Sequence, residues 1–104
     1  MHEAGLIEAA LDGALRRASA PAALELHISD PVRVGGEAAR FHLELALRAR
    51  GLGELPVELR IDPVDCPACA VAVVPDPAAP FCPGCGWPLP RRDGPGLEIR
   101  ARRR

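Results

Sequence analysis

The 104-residue chain has no lysine, asparagine, glutamine, threonine or tyrosine, and its only aromatic residues are two phenylalanines and one tryptophan. So few aromatics exclude the stacking platform of a single-strand nucleic-acid binder. The chain lacks the roughly 18 continuous apolar residues of a membrane span, and no basic stretch followed by an apolar run opens it. A cytoplasmic location without membrane contact is therefore expected. Charge of one sign is also missing: thirteen arginines stand against fourteen acids, so the totals imply neither a nucleic-acid surface nor an acidic tail. No phosphate-cradling glycine loop is present, and motif spacing assembles no nucleophile, base and orienting group, so no enzyme is expected. Abundant Ala, Pro, Gly and Arg reflect codon bias rather than function.

A chain this short buries little apolar surface, and a staple is expected. Four cysteines supply the candidates. In a reducing compartment they are a poor disulfide framework.

From Glu3 to Ser19 the residues Ile7, Leu11, Ala14, Leu15 and Ala18 recur at three- and four-residue intervals, which predicts an amphipathic helix stopped by Pro21. Acids toward its start and Arg16 and Arg17 toward its end follow the helix dipole. "ALELHIS" alternates, with Leu24, Leu26 and Ile28 on one face and Glu25, His27 and Ser29 on the other, predicting a half-buried strand. "DPVRVGG" is turn chemistry. The segment 37–50 alternates through Phe41, Leu43, Leu45 and Leu47, but Ala38, Phe41, Leu45 and Arg48 also fit helical spacing, and its Glu, Ala, Leu and Arg content favours helix. "PVELRID" and the stretch Leu97, Ile99, Ala101 are further strands. His27 and His42 read as ordinary surface histidines. The arginines at 91, 92, 100 and 102 to 104 read as a solvated tail.

Cys66-Pro-Ala-Cys69 and Cys82-Pro-Gly-Cys85 form two hooks twelve residues apart, each able to place two sulfurs on one metal ion. Four thiolates close a tetrahedral site, which suits structural zinc; iron in a rubredoxin-like site uses the same ligands. Gly86 after the second hook can take the turn that aims N–H groups at sulfur. Ala70 in the equivalent place predicts a looser first hook. Phe81 and Trp87 are expected to cover the metal, which would serve as the core of its module.

The expected fold is thus α/β, two helices on a small three-stranded mixed sheet, with a four-cysteine zinc module inserted before the last strand. The division is an α/β domain of residues 1–64 plus 95–104, and a zinc module of residues 65–94.

At the amino terminus, the imidazole and amide of His2, the amine of Met1 and the amide of Glu3 could supply a nitrogen-rich square-planar site of the kind Ni(II) or Cu(II) prefers. "MHE" ahead of an amphipathic helix, "EAARF", the hooks "CPAC" and "CPGCG", and the closing "GPGLEIRA" together resemble the HypA/HybF family of nickel-insertion proteins for [NiFe]-hydrogenase maturation. That resemblance covers nearly the whole chain. It implies that His2, with the Met1 amine and the Glu3 backbone nitrogen, binds nickel as cargo, while Cys66, Cys69, Cys82 and Cys85 hold structural zinc. It also implies a partner GTPase, delivery to the hydrogenase large subunit and, in some cases, service to urease maturation. Three other readings remain open from the residues: a zinc-ribbon module for nucleic acid or protein, an electron-transfer iron site, and a diverged paralogue with another client.

Overall fold

The structure, a computed structural model, describes residues 3–103, the first two of them by backbone alone. Helix α1 spans Glu3–Arg17 and carries Ile7, Leu11 and Ala14 into the core. Strand β1 (Ala23–Ile28) follows, then helix α2 (Gly36–Ala49) and strand β2 (Val57–Ile61). Two short strands, β3 (Val64–Asp65) and β4 (Ala72–Val73), pair with each other, and β5 (Leu97–Arg102) closes the chain's element order. Among the described residues no helix is long and apolar enough to cross a membrane.

The main sheet has the order β2-β1-β5, with β1 parallel to β2 and antiparallel to β5. This is the small mixed sheet with two helices that the alternation and helical spacing predict. Its register stacks three apolar rows: Val57, Leu24, Ala101; Leu59, Leu26, Ile99; and Ile61, Ile28, Leu97. Both helices cover that face, and Leu43 and Leu47 of α2 join Ile7 and Leu11 of α1 against it. Helix α2 ends in a glycine cap. Gly51 has φ +73°, its N–H donates to Arg48, and the N–H of Leu52 donates to Leu47, which satisfies two carbonyls left over at the helix end. Arg50 then ties α2 to α1 through Glu8 and Asp12.

Four expectations change. Helix α2 is present, but it buries Ala39, Leu43, Ala46 and Leu47, whereas Phe41 and Leu45 are 59% and 44% exposed. Strand β1 is the central strand and does not behave as half-buried. Glu25 on its polar side is only 5% exposed, because Arg102 reaches across from β5 and bonds its carboxylate. His27 is not a free surface histidine either, since Nε2 lies 2.9 Å from Asp62 Oδ2. Nor are the late arginines simply a solvated tail: Arg92 and Arg102 hold the body together, as the contacts below show.

The cysteine segment leaves the sheet after Ile61 and returns at Leu97, and both residues flank Ile28 in register. The loop that follows β1 therefore emerges at the same end of the sheet. Three chain crossings converge there, and they position the metal centre.

Candidate metal centre

Each hook is a tight turn built the same way. The N–H of Ala70 donates to the carbonyl of Cys66 at 2.8 Å, and the N–H of Cys66 donates to Val71 at 3.0 Å. In the second hook Gly86 donates to Cys82 at 2.7 Å, and Cys82 donates to Trp87 at 2.8 Å. Both turns need a left-handed residue after the last cysteine: Gly86 has φ +78° and Ala70 has φ +61°. The first hook is thus not the looser one. It reaches the same hydrogen-bond pattern with a strained alanine, a conformation that costs an L-residue about 1–2 kcal/mol.

The four sulfurs lie within 4.8 Å of one another. Across the hooks, Cys66 Sγ is 3.6 Å from Cys85 Sγ and Cys69 Sγ is 3.7 Å from Cys82 Sγ. A tetrahedron of thiolates bound at about 2.3 Å has edges of about 3.8 Å. The donor set and its spacing therefore fit a four-sulfur metal such as zinc, and all four cysteines are free of disulfides.

Electrostatics at the cluster point the same way. Burial pushes the Cys66 thiol up, but the N–H groups of Cys69 and Ala68 and the thiols of Cys85 and Cys69 outweigh it and bring it to about 7. The Val71 N–H favours the Cys69 thiolate, yet the Cys66 and Cys82 thiols and burial raise that group. Cys85 is pushed up to about 12: the Trp87 N–H pulls it down, and the Cys66 thiol, burial and the thiols of Cys82 and Cys69 prevail. One thiolate is easily formed, and its neighbours resist a second beside it. A cation among them removes that conflict, because its charge favours every thiolate at once.

The centre has an apolar floor of its own. Cys66 and Cys82 are buried with Val32, Val64 and Leu89, and Val73 packs against them. A metal would complete this small core rather than replace one. Phe81 and Trp87, expected as covers, are each 53% exposed.

Spacing alone did not reveal the residues that fix the centre to the sheet. Asp30, fully buried, accepts from the N–H of Val32 at 3.2 Å, from Arg33 Nε at 2.6 Å and from the N–H of Arg92 at 3.1 Å. Burial alone would raise its carboxyl, but the Arg33 side chain and the Arg92 and Val32 N–H groups hold it below the ordinary aspartate range. Arg33 in turn donates to the carbonyls of Arg92 and Gly94. Arg92 donates to the carbonyls of Ser29 at 3.0 Å and Pro63 at 3.1 Å. Gly96, at φ +84°, passes so close that a Cβ there would stand 3.1 Å from Val34 Cγ2. The signal in the sequence was "DPVRV" directly after a strand. Its turn chemistry was legible, its long-range partners were not.

No known protein family, curated protein or solved structure matches the chain. The Met1 and His2 positions of the nickel reading lie outside the described residues, and Glu3 enters only as the first residue of α1.

Proposed function

We propose that this protein is a nickel metallochaperone of the HypA/HybF type, with a structural zinc held by Cys66, Cys69, Cys82 and Cys85. One combination carries the reading: a Met1-His2-Glu3 start leading into α1, in the same small chain as a four-sulfur cluster. The zinc centre has all four protein ligands committed and no open position, which gives it a structural role. In this reading nickel is taken by a different donor set, the nitrogen-rich Met1-His2-Glu3 start. Nickel is cargo in this scheme: a carrier binds it near micromolar strength, about −8 kcal/mol, so that a partner GTPase or the hydrogenase large subunit can remove it. Urease maturation is a second client of the same chemistry.

The test is a nickel titration by calorimetry of untagged, zinc-loaded protein, beside His2→Ala and a variant extended by one N-terminal residue. One nickel per chain is expected for the native start, with at least about tenfold loss in both variants. Equal binding by all three would remove the reading.

A further inference from the structure

The main sheet ends on β5 at one edge and on β2 at the other. The first edge is closed: α1 packs along it, and Leu97 and Ile99 are only 5% and 1% exposed. The second is open. Val57, Leu59 and Ile61 each keep part of their surface in solvent, and Glu58 and Arg60 between them are exposed. The register with β1 determines which backbone groups of β2 are committed. Leu24 donates to the carbonyl of Pro56 and Asp62 donates to that of Ile28, both at 2.9 Å, so Glu58 and Arg60 turn their N–H and C=O toward β1. Those of Val57, Leu59 and Ile61 turn outward, and among the described residues they take no hydrogen-bond partner. Unmet groups at an open edge are a template for another strand.

The charges on this strand say which one. Val57-Glu58-Leu59-Arg60-Ile61 is complementary to itself when reversed about Leu59. Antiparallel pairing with a second copy centred there sets Leu59 opposite Leu59, Val57 opposite Ile61, and Glu58 opposite Arg60. The first two kinds of pair fall at hydrogen-bonded positions and use every outward group; the acid and the base fall between them, where opposed side chains come closest. A slip of two residues, the smallest that keeps the outward groups paired, puts Glu58 against Glu58 or Arg60 against Arg60. Like charges directly opposite destabilise a ladder, so one register is selected. Arg60 is also free to take this partner. It rests against the His27 ring at 3.2 Å, and among the described residues no acid lies within ion-pair distance of it. Glu58 meets Arg102 at 2.9 Å and still has more than half of its side chain in solvent.

We propose that the β2 edge joins two copies of this chain across a two-fold axis at Leu59, giving a six-stranded sheet in the order β5-β1-β2-β2-β1-β5. The contact uses the same patch on both copies and closes on itself, so pairing stops at two. An unrelated strand would have to supply the same acid and base at the same spacing, which the chain's own β2 does. The cysteine segment leaves the sheet after Ile61, so the two metal centres lie toward opposite ends of the joined sheet and neither is shared. None of the interface residues belongs to either metal set, and the dimer does not rest on the nickel reading.

The test is sedimentation equilibrium of the full-length, zinc-loaded protein beside Glu58→Arg and Arg60→Glu. A short edge buries little area, so wild type is expected to form a reversible dimer with a dissociation constant of about 10–100 µM. Each single variant sets like charges opposite each other twice and should dimerise at least about tenfold more weakly. Mixing the two variants brings acid and base together again at both positions, so a heterodimer of near wild-type strength should form. Misfolded chains would not recover in this way. Amide exchange at Val57, Leu59 and Ile61 should slow as concentration rises, while that of α2 and β5 stays unchanged. A wild-type protein that remains monomeric up to about 500 µM would overturn the proposal, as would a dimer indifferent to both substitutions. Failure of the mixture to recover, or protection confined to α2 or β5, would also overturn it.

Discussion

At Ala70 the chain accepts a left-handed backbone without glycine's freedom, and Gly86 occupies the same place in the second hook with φ +78°. The two turns share their hydrogen bonds, so the strain at Ala70 is local. Ala70→Gly should raise the stability of the zinc-loaded protein by about 1 kcal/mol in urea unfolding, with one zinc retained; an unchanged or lowered midpoint would show that the turn carries no such strain. Asp30 is the second position where a single side chain governs more than its neighbourhood. Its carboxyl is held below the usual aspartate value of 3.8 by Arg33 and by the N–H groups of Arg92 and Val32, against the opposing pull of burial. The charged form therefore favours the folded state. That contribution is complete above about pH 4 to 5 and is lost as pH falls through the folded value. Asp30→Asn should be less stable than wild type at pH 7, and the gap should narrow as both are unfolded at successively lower pH, to pH 3. A gap independent of pH would assign the effect to packing instead of charge.

Among the elements, the helix and strand order was legible because its physical causes are local. Ile7, Leu11 and Ala14 repeat at helical spacing and are all buried, and Leu24, Leu26 and Ile28 alternate and form the centre of the sheet. The face of α2 was harder to read. Phe41 is the largest apolar residue in the segment, and hydrophobicity assigns it to the core, yet the small Ala39 and Ala46 go inward with Leu43 and Leu47. Leu43→Ala should cost about 2–5 kcal/mol, whereas Phe41→Ser should stay within about 0.5 kcal/mol of wild type, both by chemical denaturation; the reverse ranking would mean that α2 is rotated. The polar side of β1 was misjudged for a related reason. Whether Glu25 meets water depends on Arg102, which lies 77 residues away in sequence. Pattern reading carries no information about such a partner. The same limit hid the Asp30, Arg33 and Arg92 network, whose members are unremarkable in isolation and meet only because β2 and β5 both flank Ile28.

The molecule as a whole has two cores of different kinds. One is the apolar layer between the helices and the three-stranded sheet, with thirteen buried residues from Ile7 to Ile99. The other is the small cluster of Val32, Val64, Leu89 and the buried cysteines, which a metal at the four sulfurs would complete. The cysteine hooks were fully legible because metal ligands must lie close along the chain to form each turn. The joint between the two cores was not, since it is made of backbone carbonyls and arginines that any sequence could supply. The two proposed metal sets separate cleanly by mass. Native mass spectrometry of untagged wild type, His2→Ala and Cys82→Ser, each loaded with zinc and then nickel, measures them directly. The expected result is one zinc and one nickel on wild type, zinc alone on His2→Ala, and loss of zinc from Cys82→Ser. Nickel retained by His2→Ala, or displacing zinc from the cysteines of wild type, would contradict a nickel site at the amino terminus beside a separate zinc centre.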